Sequence, residues 1–179
     1  ASIKDTDGNG KVIFVFTDIL DEYGLGRSDT RSSLFVHGYS TVLDTLDDEP
    51  YSNHGDIIYL DADPMSLNST DDDLVATYNA ISHEYTRMIM EHNQPDQENW
   101  IIESVSTILQ KKMVGDVKFF GKSTSPSITG GNQLTYIATG YQSLKGRSDK
   151  YNAYLFLSYL QEKYSADSSG WDIIQAIAQ

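Results

Sequence analysis

Ala80-Ile81-Ser82-His83-Glu84-Tyr85-Thr86-Arg87-Met88-Ile89 lies inside the most regular stretch of this chain. Around it Leu74, Tyr78, Ile81, Tyr85, Met88 or Ile89, and His92 recur at steps of three and four. That is the period of one helix face, so an amphipathic helix is expected from Leu74 to about Asn93, with Pro95 just beyond it. The polar run before it, Ser66 to Asp73, supplies helix-start chemistry, and the Asp triplet 71–73 suits the positive end of the helix dipole. A second helix is expected from about Glu98 to Met113, stopping at Gly115. Its apolar positions are Ile101, Val105, Ile108, Leu109 and Met113.

Upstream, the turn cluster Asp5-Thr6-Asp7-Gly8-Asn9-Gly10 feeds Val12-Ile13-Phe14-Val15-Phe16-Thr17-Asp18. This β-branched and aromatic run reads as a buried strand. Residues 21–56 show no clear period and read as loops, with an edge strand around Ser33-Leu34-Phe35-Val36-His37. Asp56-Ile57-Ile58-Tyr59-Leu60-Asp61 is a second strand, closed by Asp63-Pro64. Downstream, residues 115–150 are rich in Gly, Ser and Thr and form a long connection. Helical spacing returns from Tyr151 to Tyr164, and a last short helix is expected from Trp171 to Ala178. The expected fold is α+β: a small sheet packed on the His83 helix and a second helix backing it. A C-terminal helical part, residues 114–179, closes the other side of a single domain covering 1–179.

A chain of 179 residues, 39% of them apolar, can bury one core. Lys and Arg total 13 against 26 Asp and Glu, a net charge of −13. That charge repels a phosphate backbone and an anionic membrane surface, so no nucleic-acid partner is expected. No apolar run approaches the ~20 residues a membrane span needs, so no membrane insertion is expected either. Without cysteine, disulfides, thiolate nucleophiles and cysteine-ligated metals are excluded. The opening Ala1-Ser2-Ile3 suits a processed form or an excised domain.

A zinc peptidase helix carries H-E-x-x-H. Two imidazoles at i and i+4 then share one face, and the Glu acts as general base on a metal-bound water. Here the i+4 position holds Arg87. Alone, His83 reads equally as a helix histidine bonded to a neighbour, Glu84 as a solvated surface residue and Glu103 as a helix-start carboxylate. Trp100-Ile101-Ile102-Glu103-Ser104, however, resembles the W-L-x-E-G element of gluzincin metallopeptidases. Residues 5–18, 51–113 and 150–165 resemble, in order and spacing, pieces of the hyicolysin-like (M30-type) family.

The resemblance implies a zincin-like, thermolysin-like catalytic fold and a secreted protein, extracellular or at the cell surface. It makes His83 the counterpart of the first zinc ligand, Glu84 of the general base and Glu103 of the third ligand. Arg87 replaces the second ligand. A guanidinium has no lone pair to give and stays charged. Two like charges ~4 Å apart repel by roughly 4 kcal/mol at an effective dielectric near 20. The expected protein is therefore a catalytically impaired or inactive relative, monomeric, serving as a binding or structural module for a protein or peptide. No cofactor is expected at the degenerate site, where active relatives hold zinc. Arg87 is expected to bridge Glu103, Glu84 or both in place of the metal. The rivals are an active peptidase that completes its zinc site with a residue such as His54, and a non-catalytic component of a surface assembly.

His92 falls on the apolar stripe and reads as a core or helix-end histidine, while His37 and His54 lie in loops. Tyr136, Tyr141, Tyr151 and Tyr154 include candidate oxyanion donors, with packing the default for each. Asp5, Asp7, Asn9 and Gly10 match positions 1, 3, 5 and 6 of an EF-hand loop. Position 12 is Phe16 rather than a bidentate Glu, and Asp18 comes two residues late. The alternatives are a partial calcium site on Asp5, Asp7 and Asn9, or a tight turn feeding the strand.

Overall fold

The computed structural model describes residues 5–20, 36–62, 71–114, 152–166 and 171–177. Among them are three strands, β1 (Ile13–Thr17), β2 (Gly38–Ser40) and β3 (Ile57–Asp61), with a 3₁₀ turn at Val42–Thr45. Four helices follow: α1 (Asp71–Asn93), α2 (Asn99–Val114), α3 (Asn152–Tyr164) and α4 (Trp171–Ile177). The architecture is α+β. Of the expected strand around Ser33–His37, residues 33–35 lie outside the described residues, as does the connection 115–150, and the described chain enters β2 at Gly38.

The sheet runs β1-β3-β2, with β3 parallel to β1 and antiparallel to β2. Ile13 faces Ile57 and Thr17 faces Asp61, while Tyr39 faces Tyr59 with the two rings stacked at 4.7 Å. The near-continuous apolar run of β3 suits a central strand covered on both faces, and Ile58 and Leu60 are fully buried. Gly38 lets β2 approach closely: a Cβ there would lie 2.7 Å from the Tyr59 carbonyl oxygen.

β1 corrects the expectation of a buried strand. Ile13, Phe14 and Phe16 are all exposed, Phe16 by 52%. Among the described residues β1 pairs with β3 alone, and α1 packs over β2 and β3. An aromatic, β-branched run identifies a strand, but its position in the sheet decides whether it is covered.

The boundaries expected for the helices are close to those observed; the faces agree only in part. Leu74, Tyr78 and Tyr85, read as the apolar stripe of α1, are exposed. Met88 of that stripe is buried, and the other buried positions are Thr77, Asn79, Ala80, Ser82, Glu84, Thr86 and Met90. Packed between the sheet on one side and α2 on another, α1 has two covered faces. Ala80 and Met88 meet Ile58 and Leu60 in a sheet-side core. Met90 joins Ile102, Val105, Ile108, Tyr154, Leu157 and Ile174 in a helical core formed with α2, α3 and α4. On α2, Met113 is exposed rather than part of the apolar face, and Ile102 is buried in its stead.

Candidate functional site

His83 and Arg87 stand one turn apart on α1 and face α2. From the first turns of α2 comes Glu103, whose side chain is 2% exposed. His83 Nε2 lies 3.2 Å from Glu103 Oε2, and its Nδ1 lies 3.3 Å from Gln110 Oε1, about two turns further along α2. Gln110 Nε2 in turn donates to Asn79 Oδ1 at 3.2 Å. The seam between α1 and α2 is thus polar at its centre, and its side chains contact one another across the helices.

Arg87 reaches the second oxygen of Glu103, with NH1 3.5 Å from Oε1. Its Nε donates to Glu91 Oε1 at 2.8 Å. Burial alone would ease the proton off the guanidinium. The hydrogen bond to Glu91 and the charges of Glu91, Glu103 and Glu84 more than offset that, so its pKa is raised. Sequence reasoning named Glu103 and Glu84 as its partners. Glu91 was legible too, because a carboxylate at i+4 from Arg87 lies on the same helix face.

Glu84 turns the other way, toward the sheet. Its Oε2 accepts from the Ser40 backbone N–H at 3.0 Å and from Ser40 Oγ at 3.2 Å. Burial raises its carboxyl pKa above the usual value, against the lowering influence of His83 and Arg87. It is a buried residue tying α1 to β2, not a solvated surface Glu. The site therefore splits: His83, Arg87 and Glu103 converge between the helices, while Glu84 is held by the edge strand.

Zinc in such a site takes three protein donors and a water. Here His83 and Glu103 supply two, and the guanidinium approaches the same carboxylate. Among the described residues the pair belongs to no cluster of three or more His, Asp or Glu ligand atoms. This donor set does not fit zinc. His54 is exposed, adopts a positive φ of 50°, and faces Ser52 and Asp47. Tyr154 is buried, its hydroxyl accepting from Lys111 Nζ at 3.0 Å, which is a packing role. Tyr136, Tyr141 and the Tyr151 side chain lie outside the described residues.

A second cluster sits where β1 and β3 begin. Gly10 N–H donates to Asp5 Oδ2 at 2.8 Å, Asn9 N–H to Asp7 Oδ1 at 3.1 Å, and Lys11 N–H to Asn9 Oδ1 at 2.7 Å. Asn9 Nδ2 also donates to Asp7 Oδ2. Sequence reasoning missed the fourth member, Asp56, a buried residue immediately before β3. Its Oδ1 and Oδ2 accept from Thr6 Oγ1 at 3.0 Å and Thr6 N–H at 3.1 Å. One carboxylate oxygen each from Asp5, Asp7 and Asp56 lies within 4.8 Å of the others. The separation of Asp56 from the loop in sequence left no local signal for this meeting.

No family model, curated protein or solved structure matches the chain.

Proposed function

We propose that the chain is a non-catalytic relative of the zinc metallopeptidases, zincin-like in fold, in which a guanidinium stands where the family holds its metal. The observation that carries this reading is the division of one carboxylate. Glu103 offers one oxygen to His83 and the other to Arg87. A metal ligated there would need both groups to face a dication, and Arg87 brings a fixed positive charge instead. With Glu84 bound to Ser40, the groups that would activate a water are committed to structure. On this reading the module acts outside the cell or at its surface, binding a protein or peptide rather than cleaving it.

The test is zinc stoichiometry in purified protein and in Arg87→His. The parent should hold roughly a tenth of an equivalent or less, and the variant, with H-E-x-x-H restored, should approach one. Near-stoichiometric zinc in the parent, with peptide cleavage abolished by a chelator, would favour an active peptidase completed by another ligand. An Arg87→His protein that is folded but binds no zinc would overturn the proposed site geometry.

A further inference from the structure

We propose that Asp5, Asp7, Asn9 and Asp56 form a calcium site that fastens the N-terminal loop to the start of β3. The donors are all oxygens, the hard set that suits calcium rather than zinc, copper or iron. Asp5, Asp7 and Asn9 occupy alternate positions of one loop, as the first three ligands of a calcium loop do. What such a loop lacks here is its last carboxylate, since the twelfth position is Phe16 within β1. The fold supplies that carboxylate from another strand. Asp56 is 1% exposed, and Thr6, between Asp5 and Asp7, holds both of its oxygens toward the loop.

An independent observation comes from the far end of α1. The His92 side chain is 6% exposed, and its Nδ1 lies 3.9 Å from Asp56 Oδ1. That is beyond hydrogen-bond reach, and Nδ1 has no hydrogen-bond partner. Buried polar atoms are almost always partnered, by protein or by ordered water. A water carried by a cation on Asp56 is the partner this nitrogen lacks. Ligating carboxylates are themselves held by outer hydrogen bonds, as Thr6 holds Asp56. A cation would further relieve the mutual repulsion of three carboxylates gathered at one point. The inference does not depend on how the His83 site is read.

The experiment compares the melting temperature of the full chain after chelator treatment with that after calcium addition. At about a hundredfold excess over Kd, calcium should raise Tm by roughly 5–10 °C, and magnesium should do less. Calorimetric titration should give one site. Asp56→Asn and Asp7→Asn should each weaken calcium binding by at least about tenfold, while Asp96→Asn, at an exposed acid elsewhere, should leave it unchanged. Asp7 is exposed and, among the described residues, bonds only within its loop, so its variant decides the matter if Asp56→Asn fails to fold. Calcium should shift the NMR signal of the His92 ring, identified by its loss in His92→Gln, and leave that of His83 in place. The proposal is overturned if calcium does not move Tm, if Asp7→Asn binds calcium as tightly as the parent and keeps its full Tm shift, or if the His92 signal stays fixed while calcium binds.

Discussion

Glu84 shares a helix turn with Arg87, yet the two side chains meet different elements. Arg87 goes to Glu91 and Glu103, and Glu84 goes to Ser40 of the edge strand. Burial is the largest influence on Glu84 and raises its pKa above the ordinary 4.5. The folded state then binds this proton more tightly than the unfolded chain does. Stability contributed at this position falls as pH rises from about 4.5 through the raised value. Glu84→Gln keeps an oxygen for Ser40 and removes the ionisation. It should melt a few degrees above the parent at pH 8, and its stability should no longer decline over that window. Thermal melts between pH 5 and 8 check this, and a parallel decline in both proteins would contradict it.

At the scale of elements, the contact between β2 and β3 positions everything that depends on Ser40. Tyr59 OH donates to Asp44 Oδ2 at 2.9 Å, and Asn53 Nδ2 donates to Asp44 Oδ1 at 2.8 Å, which braces the loop leading from β2 to β3. Burial, reinforced by the Asp44 hydrogen bond and charge, pushes the Tyr59 hydroxyl up to about 12, so it remains a donor throughout the neutral range. Gly38 is the weak point of the pairing, because an added Cβ would meet the Tyr59 carbonyl and Leu60 Cδ2, at 2.7 and 3.1 Å. Backbone cannot yield as a flexible side chain does. Gly38→Ala should therefore cost about 1–3 kcal/mol. It should also speed exchange of the Ser40 amide, which hydrogen exchange would detect residue by residue. A variant as stable as the parent would mean that β2 sits further from β3.

Across the whole molecule, α1 links two cores. Met88 belongs to the sheet-side cluster and Met90 to the helical one. Leu157 lies in the helical cluster, far along the chain from β3, and is 2% exposed. Leu157→Ala should cost about 2–5 kcal/mol. Because α1 is common to both clusters, the loss should appear as one lowered transition, with the Ile58 and Leu60 amides exchanging faster as well. Two separated transitions in denaturant would show that the halves unfold independently.

Helical spacing alone located α1, α2 and α3 to within a few residues, since a 3.6-residue period is a local property of the chain. It also placed His83 and Arg87 on one helix face, because i and i+4 positions are neighbours there, whereas Glu103 on the next helix entered only through the resemblance of Trp100–Ser104 to the gluzincin element. The buried faces were set by tertiary packing. Leu74, Tyr78 and Tyr85 lie exposed while Asn79, Ser82 and Thr86 are covered, because α1 is enclosed by the sheet and by α2 rather than resting on a single core. The same holds for Asp56 with the Asp5–Asn9 loop and for Glu84 with Ser40: partners separated by more than forty residues leave no trace in local spacing. Periodicity records what a segment forms, and only the folded chain brings its distant polar groups together.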